Sequence, residues 1–327
     1  MTGMLKLKTC LALELPSINA ALRQATLRLP TAVRPVAEHI FNAGGKRLRP
    51  FLVLLMARLF GYKGKDIYSL AVTLEMLHAA TLIHDDVLDN ADTRRGKPAV
   101  HTIFGATMSI LAGDAMLSTA NELVADHNDL ALVRCFSQAI SRTAAGEIME
   151  IAAMRNLNQP AALYREIILG KTAWLIRSAC VMGALKAGAS PAQVADAATY
   201  GEELGIAFQI VDDALDVAPA SVIGKPSGGD VREGKLTPPV RMYREHLAAA
   251  SPAALADFDK HFSAGDLSAA DAETVGAQIR LLGFDQRTRE LAGECLDKAR
   301  AALEKLPDGA EKRHLYTMAD YVQQREK

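Results

Sequence analysis

Two short stretches place carboxylates at spacings that suit a hard metal cation. The segments LIHDDVLDNADTRRG, residues 82–96, and FQIVDDALDV, residues 208–217, both carry a DDxxD pattern after an apolar run. In a helix, Asp85 and Asp89 lie four residues apart on one face, while Asp86 is rotated by about 100°. Carboxylates alone favour Mg²⁺, which keeps several waters and completes its shell with phosphate oxygens. The pattern predicts a Mg²⁺ site for a phosphorylated ligand.

The second copy strengthens this interpretation. Asp212, Asp213 and Asp216 repeat the spacing of the first motif after another apolar helix. We expect the two acidic helix ends to face each other across a bundle core, where a cluster of Mg²⁺ ions stabilises a diphosphate as a leaving group. A solvated helix end is the alternative for either motif taken alone.

Basic residues follow both motifs and also precede the first one. In GGKRLRP, residues 44–50, a glycine pair lets the backbone approach an anion. The arginine pair after the first motif has forked donors that suit a diphosphate, or that simply neutralise the aspartates. The basic candidates are Lys46, Arg49, Arg94, Arg95, Lys171, Lys225 and Lys235. Each lysine taken alone is a common surface residue.

Composition narrows the class of protein. The chain has 327 residues, 50% of them hydrophobic, with 37 Lys and Arg against 38 Asp and Glu. This balance leaves no overall field for nucleic acid or an anionic membrane. The first residues lack the apolar core of a signal peptide, and the uncharged segments are too short and polar to span a bilayer. We therefore expect a cytoplasmic protein without a transmembrane segment or a nucleic-acid partner.

The pattern along the chain predicts an all-α fold. Runs of Ala, Leu, Met, Glu and Ile dominate, and alternating β-branched runs are almost absent. Residues 67–92 contain no Gly or Pro and have apolar residues all around the axis, which predicts a buried helix. SPAQ at 190–193 and SPAA at 251–254 predict capped helix starts. The prediction is a large helical bundle around a central cavity.

The motifs as a set resemble the trans-isoprenyl diphosphate synthases, also called polyprenyl synthetases. GGKRLRP, HAATLIHDDVLDNADTRRGKP, GEIMEI, GKTA, FQIVDDALD and GKPSGGDVREGKLTPP follow the family's order over residues 44–239. The resemblance implies one polyprenyl synthetase domain over residues 1–327 with the isoprenoid synthase fold, and a homodimer. It also implies condensation of isopentenyl diphosphate with an allylic diphosphate primer, with three Mg²⁺ ions on the bound diphosphate.

The resemblance also implies roles for individual residues. Direct metal ligation falls to Asp85, Asp89 and Asp212, and support of the metal site falls to Asp86, Asp213 and Asp216. Isopentenyl diphosphate binding falls to Lys46, Arg49, His78 and Arg95, and allylic diphosphate binding to Arg94, Lys171, Lys225 and Lys235. Thr172 and Gln209 match positions beside the developing allylic cation, and Lys171 is counted with them among the catalytic residues. A packed core histidine is the alternative for His78, and helix packing is the alternative for Thr172 and Gln209.

Product length is predicted from helix geometry. One turn rises about 5.4 Å, roughly one extended isoprene unit, so depth in turns approximates depth in units. Ala80 and Thr81, just before Asp85, are small, and Leu77 lies deeper along the same helix. Met116 is a candidate for lining the lower part of the product tunnel. Asn121, on the same later segment, is a weaker candidate because its polar side chain is awkward in an apolar tunnel, and a dimer interface or a hydrogen bond to a neighbour is the alternative. We expect an all-trans product of about thirty to fifty carbons, with a twenty-carbon geranylgeranyl diphosphate synthase as the alternative.

Two rival classes use related features. A class I terpene cyclase has similar metal chemistry on a similar helical fold, but DDALD argues against its usual second motif. A noncatalytic subunit of a heteromeric prenyl synthase would typically have lost acidic or basic ligands, which this chain keeps.

Overall fold

The computed structural model describes residues 3–223 and 226–325, and these residues are almost entirely helical, which confirms the all-α prediction. The α-helices are α1 Gly3–Arg28, α2 Arg34–Asn42, α3 Leu48–Leu59, α4 Ile67–Leu88, α5 Val100–Phe104, α6 Ala106–Ala125, α7 Leu130–Ala153, α8 Ala161–Ile168, α9 Trp174–Lys186, α10 Pro191–Asp216, α11 Ala220–Ile223, α12 Gly229–Glu233, α13 Pro238–Ala250, α14 Pro252–Ala264, α15 Ala269–Leu281, α16 Phe284–Glu304 and α17 Ala310–Gln323. A 3₁₀ turn spans Thr31–Val33, and a π-helical segment spans Leu169–Ala173.

The described residues form two compact units. The first unit contains Met1–Ser141, Leu175–Ala198 and Lys305–Leu315, and the second contains Arg142–Trp174, Thr199–Glu304 and Tyr316–Lys327. The first DDxxD motif lies in unit one and the second in unit two. A single domain over residues 1–327 stays a prediction.

Helix α4 is the centre of unit one. It packs against α1, α3 and α6, and its apolar residues on every side explain why a helix this hydrophobic is buried. The prediction of a buried helix in this region is confirmed. The helix stops at the first acidic motif, where the Asp89 N–H donates to the Asp85 carbonyl over 2.8 Å and Asn90 turns left-handed with φ 48°. The apolar core of α4 therefore ends in a rim of carboxylates.

A small hairpin follows this rim and departs from the purely helical expectation. Strand β1, Thr93–Arg94, pairs antiparallel with β2, Lys97–Pro98. Arg95 and Gly96 connect them, both with positive φ (53° and 74°), as a type I′ turn requires. Lys97 Nζ donates to the Asn42 carbonyl over 2.8 Å, so the hairpin is fixed to the end of α2. The hairpin thus carries two consecutive arginines, Arg94 in β1 and Arg95 in the turn.

Unit two has its own apolar core and helix starts. Phe258, Phe262 and Ile279 are buried in a cluster that joins α14 and α15 to their neighbours. Helix α14 begins at the predicted SPAA cap, where the Ala254 N–H donates to Ser251 Oγ over 3.3 Å. In unit one, the SPAQ prediction is also confirmed, because Ser190 and Gln193 exchange hydrogen bonds at the start of α10.

Two helical spans have the length and composition of membrane-crossing segments. They are Ile67–Leu88 and Ala161–Lys186, and 67% and 78% of their most apolar windows are buried inside the structure. Such burial is typical of core helices, and it explains their hydrophobicity without a membrane.

Candidate active site

The first acidic motif divides its carboxylates between solvent and interior. Asp85 is half-buried and Asp89 is exposed, whereas Asp86 is fully buried. Arg94 on strand β1 donates to Asp86 Oδ1, with Nε at 2.8 Å. Asp86 thus anchors the arginine of the hairpin, and Asp85 and Asp89 remain at the surface of the motif.

A cluster of basic residues lies beside this motif within unit one. We call it the arginine site and define it as Arg47, Arg49, Arg94 and Arg95. Arg95 Nη1 donates to the Gly44 carbonyl, and Arg47 Nη1 donates to Glu75 Oε1 over 2.9 Å. Arg49 is half-buried, and its enclosed Nε has no hydrogen-bond partner among the described residues. Several guanidinium groups therefore converge where few acids can neutralise them.

His78 lies within the field of the arginine site. Its burial, followed by the charges of Arg49 and Arg95, holds the pKa of the imidazole well below its ordinary value. The neutral ring keeps one donor and one acceptor nitrogen. Burial also lowers the pKa of Arg49, and the charge of Arg95 adds to this lowering, whereas Glu75 opposes it. The predicted isopentenyl diphosphate residues Arg49, His78 and Arg95 are thus brought together, and Lys46 is exposed at the preceding loop.

The second acidic motif is buried more deeply. Asp213 and Asp216, at the end of α10, are 5% and 6% exposed, while the Asp212 side chain is 46% exposed. Asp212 Oδ1 is 2.9 Å from Arg325 Nη2, and the Arg325 guanidinium stacks over Phe208. The partly exposed carboxylate of this motif is therefore paired with an arginine close to the C-terminus.

Asp213 sits in a hydrogen-bonded chain of side chains. Its Oδ2 accepts from Tyr164 over 2.5 Å and its Oδ1 accepts from Gln209 Nε2 over 2.8 Å, while Gln209 Oε1 accepts from Thr172 over 2.7 Å. Burial raises the pKa of Asp213 to about 7; the hydrogen bonds oppose this rise, and the nearby Asp212 adds to it. The predicted pair Thr172 and Gln209 is in direct contact, and the amide has a fixed orientation.

Asp216 also has a fixed partner. The Asp230 N–H donates to Asp216 Oδ2 over 2.8 Å, and the Asp230 side chain is buried with its Oδ2 unpartnered among the described residues. Burial, followed by Asp216 and Asp213, raises the pKa of Asp230 well above its ordinary value. Three carboxylates thus gather within unit two, and a neutralising charge or proton is needed to stabilise them.

The predicted lysines of unit two are held by glutamates. We call Lys171 and Lys235 the lysine site. Lys171 Nζ is 2.5 Å from Glu150 and 3.0 Å from Glu147, and Lys235 Nζ is 3.2 Å from Glu150 and 2.8 Å from Glu233. Burial alone would lower the pKa of Lys235, but Glu150 and Glu233 raise it. Lys225 lies outside the described residues.

The π-helical segment explains how Lys171 is presented. An added Cβ on Gly146 of α7 would lie 2.2 Å from the Lys171 backbone nitrogen, and one on Gly170 would lie 2.7 Å from the Gly146 Cα. Only glycine at both positions lets the two backbones approach this closely. The wider π turn shifts the helix register locally, which is common at functional sites.

The predicted chain-length residues lie in the interior of unit one. Ala80 and Leu77 are each 2% exposed, and Ala80 belongs to an apolar cluster that includes Met116. Thr81 is half-buried, and its hydroxyl donates to the His78 carbonyl over 2.9 Å. Asn121 is exposed, which is unlike a residue that lines an apolar tunnel.

The donor chemistry fits Mg²⁺. Of the six motif aspartates, the three predicted as direct ligands, Asp85, Asp89 and Asp212, are the ones that are not buried. Hard carboxylate oxygens that face solvent suit an ion that retains water and bridges to phosphate. Among residues 3–223 and 226–325, no three potential ligand side chains are already gathered around a metal position. Such a site requires ligand phosphate and water to complete it.

Sequence reasoning missed four residues of these clusters: Arg47, Glu75, Tyr164 and Arg325. Glu75 had a detectable signal, since it is the lone acid of the apolar helix α4 before the motif. Tyr164 lies 49 residues from its partner Asp213, and no local pattern marks such a contact.

Comparisons with known proteins agree on one family. The polyprenyl synthetase family model matches residues 30–271. The octaprenyl diphosphate synthase of Escherichia coli (strain K12) is 32% identical, over 98% of this chain and 99% of that protein. A decaprenyl diphosphate synthase structure from Rhodobacter capsulatus has TM-score 0.90 and 38% identity, covering 98% of this chain and 99% of that one. A geranylgeranyl pyrophosphate synthetase structure from Pyrococcus horikoshii Ot3 has TM-score 0.88 and 29% identity, covering 99% and 100%.

Proposed function

Because this chain belongs to the polyprenyl synthetase family and is a prenyltransferase, we propose that it is an all-trans polyprenyl diphosphate synthase that makes a long-chain product. It condenses isopentenyl diphosphate head-to-tail with an allylic diphosphate. The observation that carries the proposal is the arginine site beside the first DDxxD motif. There, buried acids and backbone carbonyls fix the guanidinium groups, and outward aspartates remain at the same helix end.

We assign isopentenyl diphosphate to the arginine site. Lys46, Arg49, His78 and Arg95 bind the diphosphate through charge-assisted hydrogen bonds, and the neutral His78 supplies a directed donor. The surplus positive charge in this part of unit one supports recognition that needs no metal ion. Arg94, held by Asp86, contributes to the allylic diphosphate.

We assign the allylic diphosphate to the acidic motifs and to the lysines. Asp85, Asp89 and Asp212 hold divalent metal, for which we propose three Mg²⁺ ions, and Lys171, Lys225 and Lys235 bind diphosphate oxygens. When bound, Mg²⁺ neutralises the diphosphate and stabilises it as a leaving group. Asp213 and Asp216 position the metal site through Gln209 and the Asp230 backbone. Glu150 keeps Lys171 and Lys235 in place until a diphosphate competes for them.

The reaction is ionisation, condensation and elimination. The allylic C–O bond breaks, the double bond of isopentenyl diphosphate attacks the allylic carbon, and a proton leaves to the released pyrophosphate. The oxygens of Thr172 and Gln209 stabilise the positive charge near the reacting carbon, and Tyr164 fixes their orientation through Asp213. Because water would quench the cation, this mechanism requires surroundings that exclude water from the reacting carbon.

The product is proposed to contain about thirty to fifty carbons, by the turn-counting argument along α4. Support comes from the small side chain of Ala80 within an apolar cluster, and from similarity to octaprenyl and decaprenyl diphosphate synthases. The assay is incubation of purified protein with Mg²⁺, farnesyl diphosphate and labelled isopentenyl diphosphate, followed by chromatography of the products. Chains within this range support the proposal. Failure to elongate the primer would overturn the enzyme assignment, and termination at twenty carbons would indicate the geranylgeranyl alternative.

A homodimer and a cytoplasmic location complete the proposal. Ile103, Ile110 and Leu111 of α5 and α6 are 50%, 43% and 55% exposed, and a second copy would cover such apolar side chains. Light scattering on purified protein tests the dimer, and Leu111→Lys should shift it towards monomer. The burial of the two most apolar helical spans supports core helices over membrane-spanning ones, and we propose the cytoplasm as the compartment.

A further inference from the structure

Arg47 stands between two proposed substrate ligands in sequence but faces the protein interior. It is 8% exposed, and its backbone adopts the left-handed conformation with φ 49°. Residues at a helix start rarely have this conformation, and it points the Arg47 side chain in a different direction from theirs. Its Nη1 donates to Glu75 Oε1 over 2.9 Å and its Nη2 donates to the Phe41 carbonyl over 2.7 Å. Arg47 is therefore committed to the protein and not to a ligand.

Glu75 is the buried partner in this pair. Only 4% of the residue is exposed, and it lies three positions before His78 on α4. Its charge is also felt by Arg49 and Arg95, whose pKa values it raises against the lowering caused by burial. Glu75 is thus a buried acid on α4 that is close enough to compete with a substrate for those guanidinium groups.

The backbone at Gly45, in the glycine pair that precedes α3, lies close to Arg47, Arg95 and Glu75. A Cβ on Gly45 would lie 2.9 Å from Arg95 Nη1, 3.1 Å from Arg47 Nη1 and 3.6 Å from Glu75 Oε1. The backbone at Gly45 therefore runs within the cluster, and the side chains of Arg95, Arg47 and Glu75 lie close together around it. Whichever arginine binds Glu75 leaves the others available.

We propose that Arg47 and Glu75 form a positioning pair for the isopentenyl diphosphate site. Because Arg47 forms an ion pair with Glu75, the carboxylate does not bind Arg49 or Arg95. Those two guanidinium groups therefore remain available to the diphosphate. This inference rests on the proposed function, because it assigns a task to residues that touch the proposed ligands of that substrate. Arg47 and Glu75 do not themselves touch substrate.

The pair has a distinctive mutational signature. Loss of Arg47 leaves the buried Glu75 carboxylate without its main partner. Because an unpaired buried charge is strongly unfavourable, the carboxylate is expected to pair with the nearest cation. Glu75 would then bind Arg95 or Arg49 and compete with the diphosphate. A second change, Glu75→Gln, removes the competing charge and should release those arginines. A residue that only stabilised the fold would show no such rescue.

The experiment compares Arg47→Met, Glu75→Gln and the double variant with wild type by titration calorimetry. The metal-free protein is titrated with isopentenyl diphosphate, and thermal unfolding is recorded in parallel. The matched control is another partly buried ion pair in unit one, Arg58 with Glu14 at 2.7 Å, changed in the same way to Met and Gln. Steady-state assays give the KM values for both substrates.

We expect Arg47→Met to weaken isopentenyl diphosphate binding by about tenfold or more, with the allylic KM changed by less than about threefold. The double variant should bind within about threefold of wild type, and the control variants should lose thermal stability only. Equal affinity of Arg47→Met and wild type, or a double variant as weak as Arg47→Met, would overturn the inference alone. If wild type bound no isopentenyl diphosphate, the proposed function would be wrong as well.

Should Arg47→Met fail to fold, Arg47→Lys provides the second test. A lysine keeps the charge but has one point-like donor group where Arg47 uses two separated nitrogens. The proposal is supported if Glu75→Gln keeps its affinity for isopentenyl diphosphate, Arg47→Lys loses affinity, and the double variant regains it. Affinity of Arg47→Lys that Glu75→Gln does not improve contradicts it.

Discussion

The two DDxxD motifs have the same spacing but opposite surroundings. In unit one, the outer aspartates Asp85 and Asp89 stay at the surface, and a single buried carboxylate is neutralised by Arg94. In unit two, Asp213 and Asp216 are buried and held by hydrogen bonds, and Asp212 is paired with Arg325. The same sequence pattern thus gives an open edge in one place and an enclosed network in the other.

The cations beside the motifs differ in the same way. Guanidinium groups of the arginine site are fixed by backbone carbonyls and by the buried acids Glu75 and Asp86, so their planar donors are preorganised for a diphosphate. The ammonium groups of the lysine site are compensated by Glu150 and its neighbours. A substrate can therefore bind the first set directly, whereas the second set must exchange acidic partners. The difference predicts that isopentenyl diphosphate binds without metal, whereas the allylic diphosphate binds only with metal.

The largest effect is expected from the outward aspartates. Asp85→Asn and Asp212→Asn should each lower kcat by about a thousandfold, because a metal ligand is lost while core volume is unchanged. Circular dichroism should show an intact helical fold. Asp92→Asn, at an exposed acid next to the first motif, is the control and should stay near wild type. Near-normal rates in either motif variant would contradict the metal assignment.

The next largest effect is expected when the arginine site and the lysine site are changed separately, because each is proposed to bind a different substrate. Arg49→Ala should raise the KM for isopentenyl diphosphate by about a hundredfold with little change in the allylic KM, and Lys235→Ala should do the reverse. Initial rates with one substrate varied at a time measure both values. Parallel increases in both KM values for both variants would show that the division between arginine and lysine sites is wrong.

A change in product length is expected from Ala80→Phe. The added ring would fill the apolar cluster near Met116 and stop elongation early, while the first condensation continues. Chromatography of labelled products measures the distribution. Since overpacking of a core costs about 1–3 kcal/mol, thermal unfolding should accompany the assay, and Thr81→Phe at the neighbouring half-buried position provides a second variant. If both variants fold and their products are unchanged, the argument that depth along α4 sets the product length is wrong.

A smaller effect is expected at Arg325. Its ion pair with Asp212 at 2.9 Å must be exchanged when that carboxylate binds metal. Arg325→Gln should therefore strengthen Mn²⁺ binding to the substrate-free protein by about twofold to fivefold, the range of a partly exposed ion pair. Mn²⁺ electron paramagnetic resonance measures free and bound metal. Arg289→Gln, which removes the donor to the Arg325 carbonyl but not this ion pair, is the control. Weaker metal binding in Arg325→Gln would contradict the exchange.

The smallest effect concerns pH. The pKa of Asp213 is about 7 in the folded protein and near 3.8 in an unfolded chain, so the folded state retains a proton that the unfolded state loses. Stability of the metal-free protein should therefore fall as pH rises from about 4 to 7. Asp213→Asn should reduce this fall by about 1 kcal/mol or more, and Asp230 accounts for part of what remains. Urea unfolding in EDTA at pH 5 and pH 7.5 measures it, and equal pH dependence in both proteins would contradict the assignment.

Local signals in the sequence predicted the helical elements well. The caps at Ser190 and Ser251 depend on residues three apart, and the burial of α4 follows from its composition. The acidic motifs were located by spacing alone. The inward direction of Arg47 was not predictable, because it depends on a left-handed backbone between the glycine pair and α3. The contact of Tyr164 with Asp213 depends on tertiary packing, and the hairpin turn at Arg95 has no strong turn residue before its glycine.

The contrast between the two motifs is tested most directly by calorimetry on the wild-type protein with and without Mg²⁺. Isopentenyl diphosphate and the unreactive farnesyl thiodiphosphate are each titrated into protein in EDTA and then in Mg²⁺. We predict that isopentenyl diphosphate binds in both conditions, and that the farnesyl analogue binds only when Mg²⁺ is present. Metal-independent binding of the farnesyl analogue, or a strict Mg²⁺ requirement for isopentenyl diphosphate, would contradict the account.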